Sequence, residues 1–237
     1  MASHAIYIGK IFDIHVRIDQ SWFIMFVFLS WLLAGSYFPY EYPNQTSILY
    51  WIMGIVTSVL FFITVLLHEV GHALTARKFN LISKSITLFV FGGIADIQGN
   101  MSKASVEFFI ALAGPMTNLF IALLLYYSAY YFRVYHSIYL IITYLAYTNL
   151  LLALFNLLPA FPLDGGRVFR AIIWKITNKY EKATHLSLVV GRFIALLFIM
   201  TGLYFILRGN IAQGLWIAFI GWFLETGSTS QIQHVRQ

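Results

Sequence analysis

A chain of 237 residues that is 60% hydrophobic and only 10% charged, with a mean hydropathy of +0.78, falls outside the ordinary soluble class, where about a quarter of residues carry charge. With no cysteine it can hold neither a disulfide nor a thiolate metal site. In so apolar a chain the net charge of +6 belongs to cytoplasmic loops rather than to a nucleic-acid contact.

The opening "AIYIGKIFDIHVRI" alternates as a strand pair beside the inner leaflet, and the N-terminus has no signal-peptide pattern. Six apolar spans follow, at about 21–38, 48–76, 105–132, 138–158, 187–207 and 211–225. Each is long enough to cross roughly 30 Å of hydrocarbon. Between the second and third, "ISKSITLFVFGGIADIQG" (82–99) reads as a short hairpin around Gly92 and Gly93. Irregular backbone at membrane depth survives only where it is buried in protein or lines a wet cavity. The fold class expected is therefore an all-α polytopic membrane protein of about six transmembrane helices with short membrane-associated β-hairpins, forming one domain over 1–237. With both termini inside, all of the 15 Lys and Arg residues except Arg133 and Arg208 fall on inner segments. That asymmetry predicts a multi-pass protein of the cell membrane with cytoplasmic termini.

The second span ends in "HEVGH" (68–72). Residues four apart share a helix face, so His68 and His72 can present two imidazole nitrogens to one point. Glu69 sits beside them, and Gly71 leaves room for an approaching group. This is the H-E-x-x-H arrangement of two zinc ligands and a carboxylate that polarises a water. The bland alternative is a hydrogen-bonded His–Glu–His cluster between helices. Ionisable groups within a membrane span are costly and mark function by default.

A catalytic zinc takes a third protein ligand. The other histidines, His4, His15, His136, His185 and His234, lie at termini, loops or interface ends. The best remaining donor is Asp164 in "NLLPAFPLDGGRVF" (156–169), where Pro159 and Pro162 interrupt a helix and Gly165–Gly166 permit a sharp turn. The alternative is that Asp164 caps a helix starting at Gly165.

HEVGH in one span, "FGG" in the hairpin after it, "AGPMTN" (113–118) opening the third span and "NLLPAFPLDGG" after the fourth together resemble the site-2 protease family of intramembrane zinc metalloproteases. The resemblance covers about residues 60–175. It implies one zinc per chain, held by His68, His72 and Asp164, with Glu69 as the catalytic carboxylate. It also implies a three-helix catalytic core from the second, third and fourth spans, about 48–175. The spans at 21–38 and 187–225 would then flank the core and control lateral access of substrate. About 28 residues separate Ala76 from Ser105, too few for the PDZ domain many relatives carry there. The chain stops where others begin paired CBS domains. It thus resembles the PDZ-less branch, either naturally minimal or a truncated membrane domain.

In the mechanism so implied, Glu69 takes a proton from water and later delivers it to the leaving amine. Asn156, an uncharged donor eight residues before Asp164, is the first candidate to stabilise the oxyanion, and Asn118 is the second. For both, the alternative is an ordinary interhelical hydrogen bond. The hairpin 82–99 either pairs with an unwound substrate strand or plugs the cavity. The partners expected are the lipid bilayer and a single-pass membrane protein such as a tethered transcription regulator, an anti-sigma factor or a leftover signal peptide. A zinc transporter or an inactive scaffold are the competing classes. A transporter gives Glu69 no purpose, and the intact HExxH and Asp164 argue against a dead scaffold.

Overall fold

The structure is a computed structural model that describes residues 5–90, 92–99 and 103–235, with side chains as far as Gly227. Asp19 opens the first helix by accepting a hydrogen bond from the Ser21 amide at 2.9 Å, which satisfies one of the donors a helix start leaves open. Helix α1 (Gln20–Leu32) runs through a π-helical turn (Leu33–Tyr37) into the short α2 (Phe38–Glu41). Thr46 then caps α3 (Ser47–Lys78), a helix of 32 residues. Buried hydroxyls along α3 satisfy themselves on its own carbonyls, as apolar surroundings demand: Thr57 donates to Met53 and Ser58 to Gly54.

Strands β1 (Ile6–Ile11), β2 (Ile14–Ile18), β3 (Ile82–Phe89) and β4 (Gly92–Gln98) form one sheet in the order β1-β2-β3-β4. The two expected hairpins are both present, but they are not separate. β2 and β3 pair in parallel, from His15 opposite Ser85 to Ile18 opposite Leu88, with α1, α2 and α3 in the crossover between them. Two hairpins each have an unpaired inner edge, and joining them satisfies both. Ile14 and Ile86, fully buried, pack against Val70 and Ala73 of α3, so the sheet is seated on the stretch that carries HEVGH.

Further along the chain lie α4 (Ala104–Ala129, with a 3₁₀ turn Tyr130–Phe132), α5 (His136–Asn156), α6 (Asp164–Thr177), α7 (Tyr180–Leu207) and α8 (Ile211–Val235). Among the described residues, five helical stretches are long and apolar enough to cross a membrane: Gln20–Glu41, Ser47–Lys78, Ala104–Phe132, His136–Asn156 and Tyr180–Leu207. α8 occupies the sixth expected span. The chain is thus a mostly helical, multi-pass membrane protein with one small sheet. α6 is an added helix that the run of apolar spans does not announce, and α7 starts seven residues before the expected 187.

The chain divides into two compact units. One comprises Met1–Asn100 with Ala113–Ala153, the other Met101–Leu112 with Leu154–Gln237. In the first, a second core of Leu33, Phe38, Met53 and Leu140 gathers α1, α2, α3 and α5. In the second, Ala160, Leu163, Ala195 and Leu224 form the core. There α7 and α8 approach closely: a Cβ at Gly202 would meet the backbone of Gly214 and Ala218. Close backbone approach through small residues is the usual basis of helix packing in lipid.

Candidate metal centre

The fourfold spacing of His68 and His72 brings their Nε2 atoms to 3.1 Å, with the rings nearly perpendicular at 80°. Both are buried, at 6% and 4% exposure. Two imidazole nitrogens that share a zinc at 2.0–2.1 Å stand roughly 3.3 Å apart in a tetrahedral site. The observed separation fits that arrangement.

The neighbouring helix is shaped to the pair. A Cβ on Gly114 of α4 would run into Nε2 of both His72 and His68, so only glycine leaves space in front of the two nitrogens. One helix turn away the contact is reciprocal: a Cβ on Gly71 would collide with Thr117 Oγ1. "AGPMTN" therefore serves α3 directly. Its Gly114 opens a cradle at the imidazole nitrogens, a role that composition alone does not reveal.

Glu69 is half-buried beside the pair. The backbone of β4 comes up against it, since a Cβ on Gly93 would meet its Cγ, Cδ and Oε1. The glycine of the hairpin thus lets a strand approach the carboxylate, and β4 is an outer strand of the sheet.

Asn118 lies four residues beyond Gly114 and is completely buried. Neither its Nδ2 nor its Oδ1 has a hydrogen-bond partner among the described residues.

Asp164 and Asn156 belong to the second unit. Asp164 is the first residue of α6, half-buried, and the N-cap position is held by Leu163, which makes no capping side-chain bond. Gly165 and Gly166 allow α6 to start hard against the preceding turn: a Cβ at Gly165 would strike the carbonyls of Leu157 and Leu158, and one at Gly166 the backbone of Ala160. Asn156 is the last residue of α5 and is half-buried. The same unit holds a buried ion pair that the sequence pattern did not single out. Arg170 of α6 binds Glu107 of α4, and its guanidinium lies 5.1 Å from the ring centres of both Phe161 and Tyr180.

The family model for peptidase family M50 matches residues 56–136 and 133–199. The chain is 34% identical over 223 residues to the Rip3 protein of Mycobacterium tuberculosis, whose name designates a zinc metalloprotease, over 93% of this chain and 56% of that protein. It is 34% identical over 232 residues to the sll0528 protein of Synechocystis, similarly named, over 97% of this chain and 61% of that protein. The chain thus spans a little over half the length of these relatives. Among solved structures, the site-2 protease of Methanocaldococcus jannaschii matches with a TM-score of 0.60 and 26% identity, over 96% of this chain and 94% of that one.

Proposed function

The chain belongs to peptidase family M50, and from that premise we propose that it is an intramembrane zinc metalloprotease, hydrolysing a peptide bond in or near the transmembrane segment of a membrane-protein substrate. The observation that carries this reading is the convergence of His68 and His72 on one point of a membrane-spanning helix, with glycine opposite and a carboxylate beside them. The donor set fits zinc: two buried imidazoles, and a carboxylate, Asp164, as the third ligand, for one ion per chain. Zinc bound there supplies Lewis acidity to the scissile carbonyl and to the attacking water.

The remaining steps belong to the side chains. Glu69 accepts a proton from the water as it attacks the carbonyl carbon. It then returns the proton to the amine nitrogen as the C–N bond breaks. Asn156 donates its amide hydrogen to the developing oxyanion. A transmembrane substrate hides its peptide groups in helical hydrogen bonds and must unwind to be cut. The outer edge of β4, whose Gly93 abuts Glu69, offers the unwound segment backbone partners. α1 at one end of the sequence, and α7 with α8 at the other, would control lateral access.

The substrate class is a single-pass membrane protein: a tethered transcription regulator, an anti-sigma factor or a signal-peptide remnant. The location is the cell membrane with both termini cytoplasmic, for which reporter fusions at Arg133 and Arg208 should read outside and one at Lys103 inside. The enzymatic reading is tested in proteoliposomes holding the chain and a single-pass fusion. Cleavage within the transmembrane segment should stop on chelation and return with added zinc. Cleavage indifferent to chelation would exclude a zinc protease.

A further inference from the structure

In the first unit, every buried hydroxyl of α3 closes on its own helix, and so does Thr117 of α4, which donates to the Ala113 carbonyl at 2.8 Å. Asn149 of α5 uses one amide atom in the same way, donating to Leu145 at 2.8 Å. Asn118 does neither. It is 0% exposed, and both ends of its carboxamide lack a partner among the described residues. A buried polar group left unsatisfied costs about 1–3 kcal/mol, so its presence calls for a reason other than stability.

Its position supplies one. Asn118 and Gly114 stand four apart on α4 and share a face. A helical side chain leans back over the turn before it, which sets the carboxamide over Gly114, the residue whose missing Cβ opens onto Nε2 of His68 and His72. The group is thus an unused donor and an unused acceptor, fixed together one helix turn along α4 from the glycine that faces the imidazole pair.

Resting on the protease reading above, we propose that Asn118 is a substrate-binding residue that clamps the N–H and C=O of one residue of the unwound substrate. Nδ2–H donates to a substrate carbonyl while Oδ1 accepts from a substrate amide N–H. A carboxamide is the side-chain copy of a peptide group, so it is complementary to backbone and indifferent to sequence. An unwound segment inside a membrane has no water to take up its freed N–H and C=O groups. The free protein carries the matching unmet need, and binding satisfies both at once.

The test is Asn118→Leu, with Asn118→Gln as the variant that retains the amide. The substrate is a designed single-pass fusion carrying an Asn–Pro pair in the cytoplasmic half of its transmembrane helix. Asn118→Leu should keep its zinc and unfold at the same or a higher temperature, because an unpaired polar group has been replaced by an apolar one. Its kcat/KM should fall about tenfold or more, mainly through KM, on the loss of two hydrogen bonds. Binding of the same fusion to the Glu69→Gln protein should weaken equally when Asn118→Leu is added, and Asn118→Gln should recover part of it. A lowered unfolding temperature with unchanged KM would make Asn118 a structural residue and overturn the proposal. Fusion cleavage that survives Glu69→Gln would instead overturn the protease reading, leaving the binding comparison to judge Asn118 by itself.

Discussion

The Nε atom of Arg170 lies 2.9 Å from Oε1 of Glu107, with both residues withdrawn from solvent, at 8% and 1% exposure. The pair ties α6, the helix that opens with Asp164, to the first turn of α4, while Phe161 and Tyr180 flank the guanidinium. Removing one partner of such a pair strands the other charge, at a cost of about 3–5 kcal/mol. Glu107→Leu and Arg170→Leu should each lower the unfolding temperature in detergent markedly. The double variant should recover part of the loss, since two apolar groups leave no stranded charge. Single variants as stable as the parent would show that the pair contributes nothing.

Gly114→Ala separates helix stability from metal binding. Alanine favours the helix by about 1 kcal/mol over glycine, so secondary structure by circular dichroism should be intact. The new Cβ would nevertheless press on the Nε2 atoms of His68 and His72. Zinc content by elemental analysis should drop well below one per chain. Full occupancy in Gly114→Ala would mean that the imidazoles have freedom the packing does not suggest.

Gly93→Ala acts on the neighbouring carboxylate. Its Cβ would press first on the Glu69 side chain. Cleavage should fall about 10²-fold, the lower part of the range for a general base, while zinc stays bound. If both zinc and activity match the parent, β4 does not constrain Glu69.

The candidate site was legible where chemistry is local in sequence. His68, Glu69 and His72 lie within one helix turn, so spacing alone predicts their common face. Asp164 could be picked out because two prolines and two glycines around it interrupt a helix. What remained hidden depends on contacts distant along the chain. The parallel pairing of β2 with β3 joins residues about 70 positions apart, and strand periodicity cannot encode it. Gly93 and Gly114 read as turn and helix glycines until the atoms opposite them are known. α6 entered only as the helix Asp164 could cap and not among the spans, because Arg167, Arg170 and Lys175 break the continuous apolar run that marks a span.

The ligand assignment has its own consequence. On the proposed set of two imidazoles and one carboxylate, none of the donors is redundant. His68→Ala, His72→Ala and Asp164→Ala should each lower zinc occupancy, measured on protein purified without added metal. Full zinc in Asp164→Ala would send the search for the third ligand elsewhere.

The most direct test of the account is Glu69→Gln, read for metal and for cleavage on the same preparation. The substitution removes the proton acceptor, keeps the shape, and leaves His68, His72 and Asp164 in place. The account predicts a protein that holds one zinc, still binds the single-pass fusion, and cleaves it at least 10²–10⁴-fold more slowly, the span attributed to a general acid–base group. Undiminished cleavage by Glu69→Gln, or loss of its zinc, would contradict the role given to the carboxylate.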